Sequence, residues 1–254
     1  MLHPKTLEAI KSHAESEYPR ECCGLIIAKG RKELYIPCRN LAEGAKEQFR
    51  MSAEDWASAE DQGKVLSVVH SHPDHAPYPS EADRVACEET GLPWVIVSVR
   101  DGKFESLHQS APTGYHAPLL GRPFFHGVLD CYSMIRDVYQ REFGIELLEW
   151  EREDDWWNAG KDYYMDRFEQ TGFRKLRPDE TVQVGDVVLM AVHAPVANHA
   201  GVYLDKRPMS EAPHLFKVPN AMIHHLYGRL SERVVYGGYW AEQTRAILRH
   251  KGME

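Results

Sequence analysis

The apolar run Val65 to Val69 (VLSVV) ends in His70-Ser71-His72. No other feature restricts the fold and chemistry of this chain as tightly. Side chains alternate along a strand, so histidines two residues apart share one face. Two imidazoles on one face can share a metal ion. Ser80-Glu81-Ala82-Asp83 follows and opens the next helix, and a loop return would bring Asp83 to the same ion. Two His and one carboxylate, with water in the fourth position, form a zinc-hydrolase type of coordination. Zn2+ lowers the pKa of its bound water towards ~7, and a nearby carboxylate can take the proton. The same residues have a plainer reading. Ser80 and Asp83 also suit a capping box, with Ser80 as N-cap and Asp83 at N3. His75 reads as a solvated loop residue and Cys23 as a small apolar one.

The flanking pattern is mixed α and β. Leu7, Ile10 and Ala14 recur at helical spacing, which predicts a helix over 5–16 ending near Tyr18-Pro19. Cys23 to Ala28 (CGLIIA) reads as a buried strand with Leu34 to Pro37 as its hairpin partner. Ser52 is placed to cap a helix running to Gly63, with Glu54 and Asp55 in its first turn. Ser80 to Glu89 reads as a helix and Trp94 to Val99 as a strand. Residues 108–123 hold three Pro and two Gly, which marks a linker, placed at 108–117. Beyond it, Leu129 to Phe143 reads as a helix stopped by Gly144, and a second helical stretch covers roughly 154–171. Residues 185–190, 200–204 and 221–227 read as strands. Two domains are expected, 1–107 and 118–254, and the order of elements makes the second α+β.

Several classes of function are excluded at this level. The formal net charge is −8 and neither half is basic, so a nucleic-acid partner is not expected. The N-terminal segment carries charges throughout, so no signal peptide is expected. The longest uncharged run, Val187 to Leu204, has the length of a membrane span but contains two His, an Asn and a Pro. It reads as two strands and a turn, and synthesis in a cytosol is expected. The five cysteines are odd in number and form no CxxC pair, which argues against a disulfide framework.

One cysteine has a candidate role. Leu129-Asp130-Cys131-Tyr132-Ser133 opens a helix, where backbone N–H groups and the helix dipole favour a thiolate. A papain-like arrangement then needs a His from a strand and a third group to orient it. His199 begins HAGVYL, and His224 lies in AMIHHLYG. With fourteen His in the chain, spacing alone does not select these two.

The pattern HSH-x7-S-x2-D resembles the signature of the JAMM (MPN-type) metallopeptidases. The upstream segment Pro19-Arg20-Glu21-Cys22-Cys23-Gly24-Leu25 extends the resemblance to about residues 1–107. It implies an α/β/α zinc peptidase domain. His70, His72 and Asp83 would hold Zn2+, Glu21 would be the general base, and Ser80 would steady the oxyanion. DCYSMIRDVY, VGDVVLM, NHAGVYL and MIHHLYG, in that order, resemble the NlpC-type papain-like cell-wall peptidases over roughly 118–245. That resemblance implies Cys131 as nucleophile, His199 as base and His224 as the orienting residue, with His225 the lesser choice. Tyr132 and Met134 depart from the small residues usual after the nucleophile. Phe124 or Phe125 stands where many members have a Tyr whose hydroxyl contacts the substrate. The insert 205–219 exceeds the usual hairpin.

The two domains in tandem resemble a tail-tip assembly family of lambda-like tailed phages. The resemblance implies a mixed α+β hydrolase made in the bacterial cytoplasm and carried at the virion tail tip. Its partners would be other tail-tip proteins and the stem peptides of peptidoglycan, cleaved locally during injection. The alternatives are a structural assembly factor with idle sites and a host enzyme of wall recycling.

Overall fold

The computed structural model describes residues 2–42, 44–46 and 48–254. The chain divides into two compact units, Met1–His116 and Ala117–Glu254.

The first unit runs α1 (Pro4–Glu17), β1 (Cys23–Lys29), β2 (Lys32–Cys38), α2 (Ala53–Gln62), β3 (Lys64–Pro73), α3 (Glu81–Thr90), β4 (Trp94–Arg100) and β5 (Lys103–Ser110). The strands form one sheet in the order β2-β1-β3-β4-β5, with β3 and β4 parallel and the other pairs antiparallel. Alternation along the strands feeds two cores. Ile26, Val69, Val95 and Val97 pack with Ile10 and Ala14 of α1. Leu25, Ile27, Val68 and Trp94 pack with Ala59 of α2 and Cys87 of α3. Helices therefore cover both faces, which is why β4 is buried from Trp94 to Val99. Cys23 packs in the second core as a small apolar side chain. Ser52 caps α2 by accepting the N–H of Asp55, as its position implied.

The second unit begins with α4 (Cys131–Val138), which passes into a wider π-type turn over Tyr139–Phe143. It continues with α5 (Tyr163–Arg167), β6 (Phe173–Lys175), β7 (Val187–Met190), β8 (His199–Tyr203), β9 (Ala221–His224), β10 (Glu232–Val235), α6 (Tyr239–Gln243) and β11 (Thr244–His250). The sheet order is β10-β9-β8-β7-β11-β6, with every neighbouring pair antiparallel. Met134, Ile135 and Val138 of α4 share a core with Leu189, Ala200, Val202 and Ile223. Gly201 is required by close approach, because a Cβ there would lie 2.8 Å from the carbonyl oxygen of Ile223 on β9.

Some boundaries differ from those expected. The helix expected from Leu129 starts at Cys131, because Asp130 caps it. The helical stretch expected over 154–171 is helical only from Tyr163 to Arg167. Asp155 and Gly160 adopt positive φ and turn the chain so that Trp156 is buried against Tyr163. β9 ends at His224 rather than at 227. β3 continues through both histidines to Pro73, and β5 runs three residues into the expected linker. The run Val187 to Leu204 holds two antiparallel strands, β7 and β8. No helix among the described residues is long and apolar enough to cross a membrane.

Candidate functional site

In the first unit, β3 delivers His70 and His72 to one place and α3 delivers Asp83. The two Nε2 atoms are 3.0 Å apart. Asp83 sets Oδ1 at 3.2 Å from His70 and Oδ2 at 3.4 Å from His72. One ligand atom from each of the three residues falls within 4.8 Å of the others. His70 is fixed by Phe49 stacked on its ring at 4.7 Å and by the edge of Trp94 at 5.4 Å. Nδ1 of His72 lies 2.9 Å from the carbonyl of Ala76, an acceptor, so it carries the proton and Nε2 offers its lone pair inward. This donor set fits a divalent cation of the zinc type.

The capping box is present as well. Ser80 Oγ accepts the N–H of Asp83, and Asp83 accepts the N–H of Ser80. The two readings of Asp83 hold together, since its second oxygen is free for His70. Burial disfavours charge on Asp83, but the two histidines and the bond from Ser80 hold its carboxyl far below the usual range. Burial would lower His72, yet its bonds to Asp83 and Ala76 raise it. Burial lowers His70.

Glu21 precedes β1 and is 5% exposed. Cys23 pairs with His70, and Ser71 donates its N–H to the carbonyl of Cys22 at 3.1 Å. Glu21 stands just before this paired segment, and its N–H donates to the carbonyl of Ala45 at 2.6 Å. His75 is exposed, as expected, with Nδ1 2.8 Å from the carbonyl of Pro73.

In the second unit, Cys131 is the first residue of α4. Its Sγ lies 4.0 Å from the carbonyl of Asn198 and receives the N–H of Ala200, the two residues flanking His199. Nε2 of His199 is 2.8 Å from Nδ1 of His224. The ring of Trp240 stands edge-on to His224 at 4.5 Å. His225 turns elsewhere and bonds the carbonyl of Arg229 through Nε2 at 3.1 Å. Phe124 packs against His225 and Tyr227 and has no hydroxyl to offer the site.

The thiolate expected from the helix dipole is not favoured here. Burial, and then the charge of Asp130, push the Cys131 thiol up to about 11. At 9% exposure, desolvation outweighs one helix terminus. Burial and the neighbouring histidines hold His199 well below the ordinary imidazole value and His224 at about 4. The resting pair is therefore neutral.

Four residues around this site were given no role from the sequence. The hydroxyl of Tyr164 on α5 is 3.1 Å from Sγ of Cys131. Asp130 caps α4 through Tyr132 and Ser133, and Arg152 donates to it at 2.6 Å in a buried ion pair. Trp240 covers the histidine pair. Asp130 adjoins Cys131, whereas Tyr164 and Trp240 lie on short helices and Arg152 on an irregular segment, away from the three motif residues in the chain.

Comparison with known proteins matches these two units separately. The model of prokaryotic homologs of the JAB domain covers residues 3–110, and that of the NlpC/P60 family covers residues 121–249. The tail tip assembly protein K of Escherichia phage N15 is 44% identical over 252 residues, 98% of this chain and 96% of that protein. The tail tip assembly protein K of Escherichia phage lambda is 37% identical over 201 residues, 79% of this chain and 89% of that protein. A solution structure of a protein from Salinibacter ruber aligns at 32% identity over 43% of this chain and 79% of that one, with a TM-score of 0.33.

Proposed function

This chain belongs to the tail tip assembly protein K family and, through residues 121–249, to the NlpC/P60 family, and we propose that it is a two-site amide hydrolase of the phage tail tip. In this reading it assembles with other tail-tip proteins and opens peptidoglycan locally during injection. The observation that carries the reading is that His70, His72 and Asp83 gather in one unit, while in the other His199 bonds His224 and Cys131 reaches the carbonyl of Asn198 beside His199.

In the first unit His70, His72 and Asp83 would hold Zn2+. The metal, when bound, supplies Lewis acidity to the reacting amide. Glu21 accepts the proton of the attacking water and returns it to the leaving amine. The Ser80 hydroxyl, whose oxygen already accepts the Asp83 N–H, retains its own proton to donate to the oxyanion.

In the second unit His199 takes the thiol proton of Cys131 as the sulfur attacks the carbonyl carbon of a stem peptide. The amine leaves with that proton, and water attacks the acyl-enzyme while His199 again acts as base. His224 holds the ring of His199 through the 2.8 Å bond. Because burial keeps the thiol protonated, proton transfer accompanies the attack. That same neutrality favours a second reading, in which the cysteine site is idle and the chain acts in assembly alone.

The test is digestion of purified Gram-negative peptidoglycan by wild type, Cys131→Ala and Glu21→Ala, with fragments identified by mass spectrometry. Shortened stem peptides from wild type and Glu21→Ala, and none from Cys131→Ala, are expected. Full release by Cys131→Ala would sink the assignment of the nucleophile. No release by any of the three, with the proteins folded, would favour the assembly role.

A further inference from the structure

Neutral imidazole has one N–H and one acceptor nitrogen. His199 Nε2 and His224 Nδ1, 2.8 Å apart, therefore share a single hydrogen. If His224 donates it, the proton of His199 sits on Nδ1 and that ring has no lone pair for Cys131. If His199 donates it, Nδ1 of His199 is a free base and the proton of His224 sits on Nε2. The second arrangement needs something that favours a proton on Nε2 of His224.

That nitrogen is buried and has no hydrogen-bond partner among the described residues. Glu232 of β10 sits directly opposite His224 of β9 in the antiparallel register. Directly opposed residues share a face of the sheet. Oε1 of Glu232 is 3.8 Å from Nε2 of His224, and the Glu232 side chain is 49% exposed. The other groups around His224 are His199 on β8, His225 beside it, Arg229 in the following turn and the Trp240 ring. Glu232 is the anion of this set. Around Cys131 stand Asp130, Arg152 and Tyr164.

We infer that Glu232 is a positioning residue of the cysteine site: its carboxylate selects the Nε2–H form of His224, which leaves Nδ1 of His199 free to take the thiol proton. The carboxylate also stabilises the histidine pair once it carries that proton. This inference rests on the reading of Cys131 and His199 given above.

The experiment is alkylation of the full chain by iodoacetamide from pH 5 to 10, read at Cys131 by mass spectrometry. It uses wild type, Glu232→Gln, Glu232→Asp and His199→Ala. Glu232→Gln should alkylate about threefold more slowly at pH 7, the effect of losing one screened charge. Its profile should move towards a single step at higher pH. Glu232→Asp, which keeps the charge, should keep the shape of the wild-type profile, and melting temperatures should be unchanged in both. Superimposable profiles for wild type and Glu232→Gln would overturn the role of Glu232 alone. A wild-type profile identical to that of His199→Ala would overturn the Cys131–His199 pair and Glu232 with it.

Discussion

Ser80 and Asp83 hold each other by two hydrogen bonds, Ser80 N–H to Asp83 Oδ2 at 2.7 Å and Asp83 N–H to Ser80 Oγ at 3.1 Å, while Oδ1 of the same carboxylate faces His70. Cap and candidate ligand can therefore be separated by substitution. Asp83→Asn keeps an oxygen for the Ser80 N–H but loses the charge. Without added metal it should melt close to wild type, and it should lose zinc on dialysis. Asp83→Ala should also lose about 1 kcal/mol of stability with the cap. Metal content and melting curves with and without zinc check both variants. Wild-type protein that neither retains zinc nor gains stability from it would remove the basis for a metal site.

Arg152 and Asp130 form a buried pair at the start of α4. Removing one partner leaves a buried charge uncompensated. Arg152→Ala should cost about 3–5 kcal/mol in the second unit, measured by urea unfolding followed through tryptophan fluorescence. Adding Asp130→Asn should recover part of that loss. A loss below about 1 kcal/mol would place the pair among those of negligible worth.

Acid should destabilise the second unit in a defined window. His224 and His225 are held at about 4 in the folded chain, chiefly by burial, against an ordinary 6.5. Their contribution to stability is complete above pH 6.5. Between there and pH 4 the unfolded chain binds protons that the folded chain refuses, so stability falls as pH falls. His225→Gln should flatten this dependence relative to wild type. Urea midpoints from pH 7.5 to 4.5 provide the comparison, and parallel slopes for the two proteins would contradict it.

Gly201→Ala should force β8 and β9 apart, because its Cβ meets the Ile223 carbonyl and the Met222 sulfur, each at 2.8 Å. The expected cost is about 1–3 kcal/mol. His224 lies opposite Gly201 in the register, so the bond to His199 should loosen too. A slower alkylation of Cys131 near neutral pH would accompany the lower melting point. An unchanged melting point would mean that the strands accommodate the methyl group.

The elements legible in the sequence were those whose signal is local. Ser52 and Ser80 announce helix starts through their own side chains, and VLSVV and WVIVSV are apolar enough to be strands in any context. β11 was hidden because TRAILRH carries Arg249 at a buried position, which is satisfied by Asp186, 63 residues away in the chain, and by the carbonyl of Thr181. The stretch 154–171 has aromatic residues at helix-like spacing, but they are gathered by turns rather than by one helix axis. The state of Cys131 is not legible in the sequence for a related reason. The dipole of α4 can be read from the chain, whereas the burial that overrides it arises from Tyr164 and the sheet.

The chain leaves the first unit along α3. Glu88 accepts the N–H of Thr113 at 2.5 Å and of Tyr115 at 3.0 Å, and the Tyr115 hydroxyl bonds Glu81 at the other end of the helix. Asp83 lies between these two anchor points. A pull on the polypeptide beyond residue 116 thus first meets the bonds that tie Thr113 and Tyr115 to α3. The anchor points and the candidate ligand Asp83 belong to one ten-residue helix. Tension that peels the 113–115 segment away would be felt at Asp83 before it reached the strand holding the two histidines.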